Sequence, residues 1–95
     1  MMLSPEFCTF ALYFIQDMDL VATNEEEMYD FVLGPFQGAD RADARARLQA
    51  SLDALTDESI SDVELEKIWR ASDADVIFAD GGALRAMLKG ARARL

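Results

Sequence analysis

Apolar residues recur along this chain at three- and four-residue steps, in runs separated by short polar or glycine-containing breaks, and that spacing predicts helices. The first run is Phe7, Phe10, Ala11, Phe14, Ile15 and Met18. Ser4-Pro5-Glu6 precedes it as a helix start. The Ser4 hydroxyl is placed to accept from free N–H groups, and Pro5 at the first helical position gives up a donor that has no partner there. A helix with one aromatic face is expected, ending near Asp17 to Asp19. The competing reading is a strand over Cys8 to Ile15, because aromatic side chains suit sheets. The helical period fits better than strict alternation.

Asn24 followed by Glu25, Glu26 and Glu27 puts a capping residue and three carboxylates at the positive end of a second helix dipole. Met28, Phe31 and Val32 supply its buried edge, and Gly34-Pro35 ends it. After the turn Phe36 to Gly38, a third helix from about Ala39 to Leu55 aligns Ala44, Leu48, Leu52 and Leu55 on one side. Ser61-Asp62-Val63-Glu64 has the form of a capping box and opens a fourth helix, with Leu65, Ile68 and Trp69 inward. Ser72 to Asp75 reads as a loop, and Val76-Ile77-Phe78 is an apolar triplet too short to classify. Asp80-Gly81-Gly82 leads into a last helix with Leu84, Met87, Leu88 and Ala91 inward and Arg85, Lys89 and Arg92 outward.

These elements predict an all-α fold, a single-domain bundle of about five helices over residues 1–95. Its expected core includes Phe10, Phe14, Phe31, Leu48, Leu52, Ile68, Trp69, Leu84 and Leu88. A chain of 95 residues with 52% hydrophobic and 28% charged side chains is globular and large enough for one small core. Its longest apolar stretch, Phe10 to Ile15, is far too short to span a bilayer. No basic segment precedes that stretch as in a signal peptide, so a cytoplasmic protein is expected.

Charge changes the picture more than composition does. The first forty residues hold eight acidic side chains and no Lys or Arg, and the first base is Arg41. Beyond that point ten acids and nine bases nearly cancel, so almost the whole net charge of −9 lies in the N-terminal part. Such a surface repels nucleic acid and anionic membranes and attracts basic partners, speeding their encounter. It is read either as a solvated acidic face or as a partner surface drawing on Asp17, Asp19, Glu25, Glu26, Glu27 and Asp30. No base within the first forty residues neutralises these carboxylates locally.

Candidate chemistry is sparse. There is no histidine, and Cys8 is the only cysteine. That removes Ser-His-Asp and Cys-His nucleophiles, an imidazole base, an internal disulfide and ordinary zinc sites. Neither a catalytic residue nor a cofactor or metal ligand is assigned, although paired carboxylates remain capable of acid–base work in principle. Asp73, Asp75 and Asp80 do not make a calcium loop: Phe78 stands where the loop needs glycine, and Leu84 where it needs glutamate. Gly81-Gly82 would suit a phosphate, but Asp80 beside it repels anions, so helix capping is the expected role. Cys8 is expected to pack as a small hydrophobe, and Trp69 to serve the core in preference to a partner. Arg41, Arg45 and Arg47 interleave with Asp40 and Asp43, which predicts local ion pairs ahead of nucleic-acid contacts.

Two stretches carry a resemblance. Tyr13-Phe14-Ile15-Gln16-Asp17-Met18-Asp19-Leu20, an aromatic pair followed by Gln-Asp-x-Asp, resembles a segment that marks small bacterial immunity proteins of contact-dependent growth inhibition systems. Ser61 to Leu95 is similar to the same family in layout: a Leu/Ile/Trp helix, a loop, a short apolar stretch and a closing amphipathic helix. The likeness spans most of the chain in layout and only Tyr13 to Leu20 in identity. Family members often have His at the position of Ile15 and an aromatic at that of Met18. The resemblance implies a helical, non-enzymatic cytoplasmic protein that binds and blocks one cognate toxin C-terminal domain, often a nuclease. Such a domain would be basic. Family contacts vary, so no site residue follows from the likeness, and the Gln16-Asp17-x-Asp19 motif is equally read as a capping and turn device. The alternative function is a helical interaction module or adaptor that recognises a basic partner. The oligomeric state is left open.

Overall fold

The computed structural model describes residues 4–72, 74–76, 78 and 80–95. Asp73 of the rejected calcium loop and Ile77 of the apolar triplet lie outside the described residues. The helices are α1 (Pro5–Leu12), α2 (Met18–Val21), α3 (Glu25–Leu33), α4 (Ala42–Leu55), α5 (Asp62–Arg70) and α6 (Gly81–Ala93). Short 3-10 turns at Gly34–Phe36 and Ala39–Arg41 join α3 to α4. No strand occurs among the described residues, and the fold is an all-α bundle. Helix α1 packs on α4, α4 on α6, and α5 on α6, with α3 closing against α1.

The expected caps are in place. Ser4 Oγ accepts from Phe7 N–H at 3.2 Å, and Asn24 Oδ1 from Glu27 N–H at 2.9 Å. Ser61 Oγ accepts from Glu64 N–H at 3.1 Å, and Asp80 Oδ1 from Ala83 N–H at 2.7 Å. Each satisfies one of the N–H groups that a helix start leaves without a partner. Asp80 is therefore a capping residue, as expected. The reciprocal half of the capping box, from Ser61 N–H to the Glu64 carboxylate, is not formed among the described residues.

Aromatic rings knit one end of the core. Phe14 meets Phe10 at 5.2 Å between centroids and Trp69 at 5.1 Å, the latter edge to face, and Phe78 closes on Trp69 at 5.8 Å. Edge contacts of this kind add to the burial of large apolar surfaces. The Trp69 indole N–H donates to Val76 O at 2.8 Å, so its polar atom is satisfied and Trp69 serves the core, as expected.

Four expectations need correction. Helix α1 ends at Leu12, well before Asp17. Tyr13 and Phe14 N–H groups donate back three residues, to Phe10 O and Ala11 O, and Phe14 O accepts from Asp75 N–H at 2.8 Å. That tertiary bond takes the carbonyl that a continuing helix would use, while Phe14 still reaches the core, so the apolar period runs straight through the break. Phe31 and Ile68 are only half-buried. Tyr29 takes the inner position on α3, leaving Phe31 against Tyr13 at 5.5 Å, and on α5 the inner line runs through Leu65 and Trp69. Cys8 is exposed, because Phe7, Phe10 and Ala11 fix the inner face of α1 and turn Cys8 to solvent. The Arg-rich start of α4 does not form its local ion pairs. Arg45 donates to Phe36 O and Gly38 O, at 2.9 and 2.6 Å, and Arg47 reaches Glu6 on α1 at 3.0 Å.

Close helix crossings depend on two glycines. A Cβ on Gly81 would lie 2.5 Å from Asp62 Cβ at the start of α5, and one on Gly90 would overlap the Tyr29 hydroxyl. The second crossing brings the start of α3 beside the end of α6 and sets up the site described next.

Candidate functional site

Asp17, Asp19, Glu25, Glu26, Glu27 and Asp30 are all exposed and follow one another along α2 and the first turns of α3. Asp17 stands at the N-cap position of α2, yet its side chain makes no capping bond. Glu27 does have a local role. Its carboxylate accepts from Thr23 N–H at 2.9 Å and from the Thr23 hydroxyl, and these bonds hold its pKa below the ordinary carboxylate value.

Glu25 and Glu26 overturn the expectation that nothing neutralises this stretch. Arg94, just beyond α6, donates to the Glu26 carboxylate and approaches Glu25 Oε1 at 3.8 Å. Its guanidinium carbon lies 4.0 Å from the Tyr29 ring centroid, and Nη1 donates to Gly90 O at 2.9 Å. The hydrogen bond to Glu26, together with the negative charges of Glu26 and Glu25, holds Arg94 above its ordinary pKa. The acidic first turn of α3 and the basic end of α6 are each favoured by their own helix dipole, and the fold sets the two side by side. By contrast Asp17, Asp19 and Asp30 make no ion pair among the described residues.

Beside this acidic strip lies an open groove of about 680 Å³. One wall is Met18, Asp19 and Ala22 of the α2 region with Glu25 and Met28 of α3, and the other is Ala83, Ala86, Met87 and Gly90 of α6. Phe78 borders it. Tyr29 forms part of the same lining from below, only 2% exposed, and its hydroxyl donates to Met87 O at 2.8 Å. Burial first, and then the negative charge of Glu25, push its pKa up, with Arg94 acting in the opposite direction. On the outer side of α2, Leu20 is 77% exposed and Val21 45%. The structure thus brings Asp19 and Glu25 to one groove and leaves Asp17, Glu26, Glu27 and Asp30 on the elements around it.

No known family, curated protein or solved structure matches the chain.

Nothing in the spacing of charges announced the groove. The available signals were five methionines in 95 residues and the small residues Ala83, Ala86 and Gly90 repeating at helical intervals. Methionine side chains are flexible and polarisable and are favoured where a surface must adapt to what it binds. Met18, expected on the aromatic face of α1, instead opens α2 and faces the groove. The described residues contain no group of three or more His, Cys, Asp or Glu placed to hold a metal ion. No described helix is long and apolar enough to cross a membrane. What the arrangement offers chemically is an open groove, apolar within and with carboxylates at its edge.

Proposed function

We propose that this chain is an immunity protein. It binds the C-terminal domain of a cognate toxin one to one, a nuclease of a contact-dependent growth inhibition system, and blocks it in the cytoplasm. It acts by occupation and carries out no reaction. The observation that carries this reading is the exposed acidic strip Asp17 to Asp30 beside an open apolar groove. A nuclease domain has to hold an anionic substrate and therefore presents positive charge. Carboxylates without local partners, such as Asp17 and Asp19, compete for that surface and accelerate encounter. The groove then supplies the desolvated contact that a lasting complex needs, because exposed charges alone contribute little at equilibrium. The resemblance of Tyr13 to Leu20 to immunity proteins falls on the α1–α2 junction and includes Asp19 of the groove wall, while Met18 stands where family members often have an aromatic.

The test is a pull-down with the toxin C-terminal domain encoded directly upstream, followed by growth rescue. Stoichiometric capture and restored growth are expected. No capture, or capture without rescue, contradicts the reading. The adaptor alternative draws on the same groove, and gene neighbourhood separates the two: an immunity gene lies directly downstream of a large secreted toxin gene, whereas an adaptor gene has no such neighbour.

A further inference from the structure

We infer that the groove between α2–α3 and α6 seats a short amphipathic helix of the partner, with its apolar face inward and basic residues at its edges. This deepens the inhibitor reading and rests on it for the identity of the partner. The form of the bound segment follows from the walls. The α6 wall and the α3 part of the other wall are helical, so most of their backbone groups are paired within their own helices, and only Ala22 to Asn24 connect α2 to α3 between them. An extended peptide laid in the groove would leave its own backbone groups without partners in an apolar setting, whereas a helix satisfies them internally.

The dimensions agree. The open stripe of α6 runs from Ala83 through Ala86 to Gly90, seven residues apart and roughly 10 Å long at the helical rise, enough for about two turns of a facing helix. Small side chains there permit close approach, while Met18, Met28 and Met87 give the two walls side chains that can adapt to apolar residues spaced three and four apart.

Charge selects the occupant. Among the described residues the charged groups lining the groove, Asp19 and Glu25, are acidic; Glu25 and Glu26 share Arg94, while Asp19 and the neighbouring Asp17 keep the edge negative. Arg94 already shows how a cation is held there, over the Tyr29 ring and against Glu26. A Lys or Arg of the partner near Asp19 finds an exposed carboxylate that makes no ion pair among the described residues. A second copy of this chain is a poor occupant, because each copy carries a net charge of −9 and repels the other.

The experiment uses the full chain and two synthetic peptides of identical Leu and Lys content. One is arranged as an amphipathic helix, and the other is scrambled to remove the apolar face. The first should bind at least tenfold more tightly than the second and shift the methyl signals of Met18, Met28 and Met87 together. Ala83→Gln/Ala86→Gln adds uncharged bulk at exposed helix positions while keeping good helix formers, so the fold is retained, and it should weaken binding about tenfold. Equal binding of the two peptides overturns the proposal, as do methyl shifts elsewhere, or a dimer of this chain that the helical peptide fails to displace. The toxin domain separates the two readings. If it is captured and neutralised equally well by the Gln variant, without moving the three methionines, the groove assignment falls and the inhibitor stands. If the peptides behave as expected and the toxin domain is not captured, the inhibitor reading falls and the groove stands.

Discussion

Helices α1 and α2 are neighbours in sequence and opposites in what they do with apolar side chains. Helix α1 buries Phe7, Phe10 and Ala11, each at most 1% exposed, against α4 and the aromatic cluster. Helix α2 buries nothing, holds Met18 half-buried at a groove wall and leaves Leu20 and Val21 to solvent. Both carry apolar residues, so hydrophobicity alone does not separate them. What separates them is the surface each one faces: α1 lies against α4 and the core, whereas α2 packs chiefly on α3 and borders an open groove. Apolar residues of the first kind hold the protein together, and Leu20 and Val21 of the second remain open to solvent.

The sharpest way to break this comparison is to truncate one apolar side chain of the aromatic cluster that α1 packs into and one of α2. Phe14→Ala should cost about 3–5 kcal/mol, because a fully buried ring at the centre of three aromatic contacts leaves a cavity. For a small domain that is a large share of total stability. Leu20→Ala should change stability by less than about 0.5 kcal/mol while weakening partner binding. Urea denaturation beside a binding titration reads both. Two variants that lose stability alike would abolish the distinction between the regions.

Next in size is Gly90→Ala, expected to destabilise by about 1–3 kcal/mol through overpacking against Tyr29. This substitution forces α3 and α6 apart along the groove, so it should also disturb Met28 and Met87. A variant as stable as the parent would show that the crossing is looser than the structure has it.

A smaller effect belongs to Tyr29 itself. Its folded pKa is raised, so the unfolded chain releases this proton first as pH climbs. The associated stability is fully present below pH of about 10 and is lost as pH rises through the higher folded value. Tyr29→Phe should remove that part of the alkaline loss and, near neutrality, cost about 1 kcal/mol for the hydrogen bond to Met87 O. An unchanged alkaline limb in the variant would count against the buried phenol.

Much of the fold was legible because its signals are local. Asn24, Ser61 and Asp80 each cap a helix within three residues of themselves, and the Leu48, Leu52 and Leu55 line depends only on helical geometry. The end of α1 was not legible, since the bond that terminates it comes from Asp75, far along the chain. The acidic strip could be read from its composition, but its partial neutralisation could not: Arg94 and Glu26 are 68 positions apart. The groove was harder still, being a gap between α2–α3 and α6 marked locally by nothing stronger than methionines and the small-residue spacing Ala83, Ala86 and Gly90.

That neutralisation also sharpens which carboxylates to test. Reversing Glu25, Glu26 and Glu27 to Lys removes the Arg94 pair and the Thr23 bonds together with the surface charge. Asp17 and Asp19 make no ion pair among the described residues and so isolate the steering effect. The most direct measurement is therefore the association rate of the toxin domain against salt, for the parent chain and for Asp17→Lys/Asp19→Lys. The account predicts that the variant stays folded, associates about tenfold more slowly at low salt, and converges on the parent as salt screens the charges. An association rate indifferent to both salt and the double reversal would contradict it and move the partner surface to the Arg-rich faces of α4 or α6.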